Sequence, residues 1–491
     1  MTYTNGSTAF VYDTLNRLQT LTPPSAFSGT GNFGFTYDAL SRRTQLTRPN
    51  NVATNYTYDP LSHLQSVLHQ LSGSTIDGAT YAVDATGNRT SKTDRLANVT
   101  SNYAYDSIYE LTGVTQGGAA TTENYTYDAV GNRLTSLNVP SYAYNNSNEL
   151  TSTSNATYTS DNNGNSLAKT DSTGTTSYTW DFENRLTSLT LPGTGGTVTF
   201  KYDTFGRRIQ KSSATGTTNY LYDGPNSLEE VDASGNLVAR YTHTQNIDEP
   251  LAMLRSGATS FYHADGLGSI TSLTNSSGAL SATYTFDSFG NLASSTGTLT
   301  NPFRYTAREF DTETNLYFYR ARYLDPLVGR FVREDPIRFQ GGINFYAYVG
   351  NDPTNHFDSS GNAPDGPCLD MDKFLKWLDD HAQNKSTGRC AQSVRKALEV
   401  GGLNTTGHPT LAKDYGPFLL NLGFLGVPQD AYVPQPGDVV VIQPGPTPSG
   451  HIQAWDGSQW VSDFNQGATK ISPYKGDTPP YAIYRFSKPC S

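Results

Sequence analysis

Tyr125-Thr126-Tyr127-Asp128-Ala129-Val130-Gly131-Asn132-Arg133-Leu134-Thr135-Ser136-Leu137 reads as two short strands around a turn. Tyr-Thr-Tyr alternates with period two, Asp-Ala-Val-Gly-Asn supplies turn chemistry, and Arg-Leu-Thr-Ser-Leu resumes the alternation. One such hairpin cannot bury its aromatic face, but stacked neighbours can. The aromatic-x-aromatic-Asp phrase recurs around Tyr12-Asp13, Tyr37-Asp38, Tyr58-Asp59, Val83-Asp84, Tyr105-Asp106, Tyr144-Asn145, Trp180-Asp181, Tyr202-Asp203 and Tyr222-Asp223, mostly in steps of 20 to 25 residues. The expectation is a mainly β chain, a long antiparallel sheet that spirals on itself, with aromatic ladders and turns capped by Asp or Asn. Identical chemistry at every turn serves geometry rather than a single active site.

Composition divides the chain. Its 491 residues include 45 glycines and 32 tyrosines. All three cysteines, Cys368, Cys390 and Cys490, lie beyond residue 367 with Trp377, Trp455 and Trp460, whereas most tyrosines lie before it, which places a domain boundary near residue 362. Residues 363–491 carry 11 Lys+Arg against 12 Asp+Glu, and the first 362 residues carry 23 against 32. Neither part has the positive footprint that displaces counterions from a phosphate backbone, so no nucleic-acid partner is expected. No apolar run is long enough to span a membrane, and Met1-Thr2-Tyr3-Thr4-Asn5-Gly6 lacks the regions of a signal peptide. Export then requires a dedicated machine, or this chain is the tail of a longer one.

Beyond residue 362 the pattern changes to helix and strand. Met371, Phe374, Leu375 and Leu378 share a face at helical spacing, giving a helix over 369–382. Cys390, Val394, Ala397 and Leu398 mark a second helix that Gly401-Gly402 ends. Strands are expected at Asp438–Ile442, His451–Trp455, Gln459–Phe464 and Tyr481–Phe486. A thiol in a first helical turn feels the positive end of the dipole, and the free N–H groups there stabilise an oxyanion. Cys390 is therefore the candidate nucleophile and His451 its base. A two-residue turn at Asp456-Gly457 sets His451 opposite Ser462, and a three-residue loop sets it opposite Asp463, which then orients the ring. Asp438 or a backbone carbonyl is the alternative orienter, and His408, in a Gly-His-Pro loop, has no expected role. With Cys390 free, Cys368 and Cys490 form an even pair suited to a disulfide in an oxidising compartment; the alternative, Cys390 bonded to one of them, removes the enzyme reading. No cluster has metal-ligand spacing, so neither metal nor other cofactor is expected.

The repeats resemble YD repeats. Tyr262-His263-Ala264-Asp265-Gly266-Leu267-Gly268-Ser269, Arg304-Tyr305-Thr306-Ala307-Arg308-Glu309-Phe310-Asp311, Tyr319-Arg320-Ala321-Arg322-Tyr323-Leu324-Asp325-Pro326, Gly329-Arg330-Phe331 and Asp335-Pro336 resemble the core of the RHS-repeat family. The resemblance implies a β-shell over 1–300, a core plug over 301–362 and a variable toxin domain over 363–491, as in polymorphic toxins of bacterial competition and Tc complexes. It also implies an aspartyl self-protease with acids at Asp335 and Asp358. The chain departs from the family's cleavage motif at Asp358-Ser359-Ser360-Gly361-Asn362, which lacks its proline and leucine. For these acids the alternative is a role as turn caps.

Cys390, then Pro434-Gln435-Pro436-Gly437-Asp438-Val439-Val440, then Gly450-His451-Ile452-Gln453-Ala454-Trp455-Asp456-Gly457, resembles papain-like amidases of the NlpC and CHAP type, closest in feel to the cell-wall amidase effectors of type VI secretion. That resemblance implies an α+β papain-like domain that cuts peptidoglycan amide bonds in the target-cell periplasm, with Cys390, His451 and Asp463 catalytic. It further implies a secreted protein, a secretion apparatus and a cognate immunity protein. Two other functions stay open: a thiol protease or deamidase acting on a target-cell protein, and a non-enzymatic surface-binding protein.

Overall fold

The computed structural model describes residues 7–362 and 371–486, apart from 16, 28–30, 119, 402, 404, 406–407, 423, 428–431, 445–447, 468–470, 473 and 475–478. The chain divides into two units at residue 364. In the first, the quoted stretch is the expected hairpin: Tyr125 pairs with Ser136 and Thr126 with Thr135, and a bulge follows before Tyr127 meets Arg133. Asp128 Oδ1 accepts from the N–H groups of Val130 (3.0 Å) and Asn132 (2.9 Å), and Oδ2 from Asn132 Nδ2 (3.0 Å). Gly131 closes the turn at φ +78°, and Ser41, Ser62, Asn148 and Asn184 occupy the same place in other repeats, also at positive φ. The tyrosines do more than pack. Tyr127 donates its hydroxyl proton to the Leu111 carbonyl (2.9 Å), Tyr37 to Leu18 (2.8 Å) and Tyr202 to Leu186 (2.8 Å), which ties each repeat to the one before. Arg17 and Arg42 hold the turn aspartate and lay their guanidinium groups over the next repeat's tyrosine, 4.9 Å from the Tyr37 centroid and 4.8 Å from that of Tyr58. Asp128→Ala removes three hydrogen bonds at once and is expected to cost about 2 kcal/mol, read as a lower urea midpoint for this unit.

Consecutive strands pair throughout, giving a 12-stranded sheet from Ala9 to Ser136 and a 16-stranded sheet from Tyr142 to Thr296. Pro140, which has no N–H to donate, lies at the break. The strip folds back on itself. Asp77 Oδ2 accepts from the hydroxyls of Thr271 (2.6 Å) and Ser272 (2.5 Å), Lys92 reaches Asp265 (2.6 Å), and Leu21, Phe33, Phe35 and Leu46 pack with Leu251 and Phe261. The core motifs form a four-stranded sheet, Glu309–Asp311, Leu316–Tyr319, Arg322–Asp325 and Arg330–Phe331. Tyr305, Tyr317, Tyr319, Phe331 and Tyr348 from this region are buried together with Leu111, Val114 and Tyr125 of the repeats. Arg208 is fully buried, ion-paired to Asp311 and to Glu309 (2.8 Å), with its guanidinium 4.5 Å from the Phe318 centroid.

The second unit is α+β. Helices α1 (Met371–His381), α2 (Cys390–Val400) and α3 (Tyr415–Asn421) accompany strands β1 (Phe424–Val427), β2 (Val439–Ile442), β3 (His451–Trp455), β4 (Trp460–Val461), β5 (Asn465–Gly467) and β6 (Tyr481–Phe486). They form one antiparallel sheet in the order β1-β6-β2-β3-β4-β5. One face, with Val439, Val441, Ile452 and Ala454, packs on Phe374, Leu378, Val394 and Leu398 of the helices; Val440, Ile442, Trp460 and Ile483 fill the other. The expected strand Gln459–Phe464 is corrected: β4 stops at Val461, the chain bends through Ser462-Asp463-Phe464, and β5 begins at Asn465. No helix among the described residues is long and apolar enough to cross a membrane. Cys368 and Cys490, the proposed disulfide partners, lie outside the described residues.

Candidate functional site

Cys390 is the first residue of α2 and carries a free thiol. It packs against the core that contains Val394 and Ile452; burial raises the thiol, and the Ile452 N–H pulls it the other way. The thiol is thereby set against the residue next to His451, at the start of the strand on which the helix packs. His451 is buried, with the Phe464 ring centroid at 6.2 Å and that of Tyr474 at 6.4 Å.

The orienter is where sequence and structure part. Trp455 pairs with Trp460, so the loop is the four-residue Asp456–Gln459, closed by Asp456 N–H to the Gln459 carbonyl (3.0 Å); neither the two- nor the three-residue turn forms. Asp463 therefore does not face His451 across a ladder. Its Oδ2 instead accepts from the N–H groups of Thr387 (2.6 Å) and Arg389 (3.1 Å) and from the Thr387 hydroxyl (2.9 Å), which fastens the loop leading into Cys390. Asp438 is not the alternative either: it is fully buried in a two-pronged pair with Arg485 (2.7 and 2.8 Å) and accepts from the Tyr432 hydroxyl (2.8 Å). The side chain that meets His451 Nε2 is Gln466, at 2.9 Å, also bonded to Ser462 Oγ (2.8 Å), with its Oε1 buried and without a hydrogen-bond partner. The sequence carried no signal for Gln466, because only the bend after Val461 brings it to the ring. His408 is exposed, its Nδ1 3.0 Å from the adjacent Pro409 carbonyl.

Burial pushes His451 down to about 4, against the opposing charge of Asp463 and the Gln466 amide. Burial also raises the Cys390 thiol, with the Ile452 N–H pulling it down and the Asp463 charge adding to the rise. The resting pair is thus thiol and neutral imidazole. Because the folded histidine holds its proton less tightly than an unfolded one, the unfolded chain binds more protons between about pH 4 and 6.5. Stability of this unit is expected to rise with pH across that window, and the ring-proton NMR titration of His451 should have its midpoint near 4.

A second cluster lies in the repeat unit. Arg322 Nη2 stands 2.8 Å from Asp335 Oδ2 and 3.4 Å from Asp358 Oδ2, and Nε donates to the Gly361 carbonyl. Asp358 Oδ1 accepts from the N–H groups of Gly361 (2.8 Å) and Asn362 (3.2 Å). Burial raises Asp335 to about 6; Arg322 opposes this and Asp358 adds to it. The two acids named from sequence are thus brought together around one cation. Arg322 lies in the core motif Tyr319–Pro326 and supplies the counter-charge that two buried neighbouring carboxylates call for. Among the described residues, no three His, Cys, Asp or Glu side chains gather in a metal-binding group.

The Teneurin YD-shell family model matches residues 26–354. The tRNA3(Ser)-specific nuclease WapA of Bacillus spizizenii is 32% identical over 230 residues, which are 45% of this chain and 10% of that protein. The chain thus spans about a tenth of the length of that relative. The Photorhabdus luminescens Tc holotoxin pore is 19% identical with a TM-score of 0.60, covering 73% of this chain and 20% of that one, a likeness of fold. One chain of the Tae3–Tai3 type VI effector–immunity complex from Ralstonia pickettii is 38% identical over 24% of this chain and 98% of that chain, with a TM-score of 0.21.

Proposed function

This chain belongs to the Teneurin YD-shell family, and we propose that it is a polymorphic toxin whose C-terminal unit is a cysteine hydrolase cutting peptidoglycan amide bonds. The observation that carries the reading is the free thiol of Cys390 at the first position of α2, a helix packed on the strand that His451 opens. In this mechanism His451 takes the thiol proton as Cys390 Sγ attacks the amide carbonyl. Free N–H groups of the first α2 turn receive the oxyanion. The imidazolium then gives its proton to the leaving amine, and water hydrolyses the thioester. Turning over the Gln466 amide sets Oε1 against His451 Nε2–H and leaves Nδ1 to accept the thiol proton, so Gln466, in place of Asp463, orients the ring. Asp463 positions the nucleophile's loop.

Asp335 and Asp358 are proposed to free the hydrolase from the shell by cleavage after Asn362. The producing cell, exposed to its own toxin, needs an immunity protein that blocks Cys390, and a secretion apparatus carries the chain to the target periplasm. Directing the C-terminal unit to the periplasm or to the cytoplasm of a test cell separates the readings. Lysis confined to the periplasmic arm is expected, whereas killing from the cytoplasm points to a thiol protease or deamidase with a protein substrate.

A further inference from the structure

We propose that cleavage after Asn362 proceeds by cyclisation of Asn362 rather than by attack of water, so that the shell fragment ends in a succinimide. This rests on the self-release reading above and concerns its chemistry. A hydrolytic pair of carboxylates needs a water held between them. Here the space is taken by Arg322, whose Nη2 lies within reach of both Asp335 Oδ2 and Asp358 Oδ2. The carbonyl to be broken is at hand: a Cβ placed on Gly341 would lie 2.8 Å from the Asn362 carbonyl oxygen and nearer still to Asp335 Oδ2. Glycine at 341 leaves the space in which the carboxyl and that carbonyl approach one another.

The side chain is equally well placed. Asn362 Oδ1 is buried without a hydrogen-bond partner, so nothing at that atom holds the amide in its present rotamer. Asn362 and Ser360 line a cavity of about 680 Å³ with Arg320 and Arg333, which gives the amide room to turn. The backbone on the N-terminal side is fixed by the Asn362 N–H to Asp358 and the Gly361 carbonyl to Arg322. Asparagine is a residue whose side-chain nitrogen closes a five-membered ring on its own carbonyl carbon, and an intramolecular attack gains the advantage of proximity.

The step balances without a co-reactant. The bond from Nδ2 to the Asn362 carbonyl carbon forms, and the bond from that carbon to the Ala363 nitrogen breaks. Asp335 takes a proton from Nδ2 and returns one to the departing amine. Its carboxyl, raised towards neutral pH, suits both transfers.

The test uses the purified full-length chain and the intact mass of the shell fragment from the earliest time point. A fragment lighter by one water than the free acid, trapped by hydroxylamine and unlabelled in heavy-oxygen water, is expected. Asn362→Ala and Asn362→Gln should stay uncleaved with unchanged heat-unfolding midpoints. A free carboxylate carrying solvent oxygen from the start, or cleavage that survives in Asn362→Ala, overturns cyclisation while leaving self-release intact. A wild-type chain that never cleaves overturns both.

Discussion

Cys390→Ala is expected to abolish cleavage of peptidoglycan, a loss on the order of 10⁶-fold as for removal of other covalent nucleophiles, while the unit stays folded. Cys390 is only partly buried at the end of a helix, and its core neighbours Val394, Ala397 and Leu398 do not depend on the sulfur. Muropeptide release measures the first half of the expectation, and an unchanged unfolding midpoint measures the second. Gln466→Ala separates orientation from nucleophilicity. It leaves the thiol in place, so alkylation of Cys390 should persist while turnover falls.

Arg208→Ala is expected to be the most damaging single change in the repeat unit. It leaves Asp311 with only Lys211 (3.1 Å), and it strips Glu309 of its 2.8 Å partner, both in buried surroundings. Removing one member of a buried ion pair costs about 3–5 kcal/mol, because the surviving charge is left buried and uncompensated. Arg208→Met with Glu309→Gln removes the unpartnered charge and leaves Asp311 paired with Lys211 (3.1 Å), so it should recover much of the loss, as read from urea unfolding of the full chain. Arg208→Lys keeps the charge but not the fork that reaches two acids, nor the flat face that rests on Phe318.

Local chemistry was legible in the sequence where a residue acts on its chain neighbours. Asp128 announced its turn because its acceptors serve residues two and four positions on. The alternation in His451–Trp455 and the helical spacing from Cys390 to Leu398 gave elements that the structure contains. Interactions set by tertiary position were not legible. The Asp463 register failed because Asp456 Oδ1 binds the N–H groups of Ser458 (2.5 Å) and Gln459 (2.7 Å), lengthening the loop beyond either expected turn. Gln466 and Arg322 reach their partners only through a bend in one case and a strand packed beside the end of the core in the other. The tyrosine hydroxyls were visible as residues, but the carbonyl each one finds, in the preceding repeat, depends on the ladder's register.

The most direct measurement of the central claim is digestion of purified sacculi by the C-terminal unit, with the released muropeptides analysed by mass. New stem-peptide amine and carboxyl ends from wild type, and none from Cys390→Ala, are the predicted result. Sacculi left intact by a folded unit whose Cys390 is free to alkylate would contradict it.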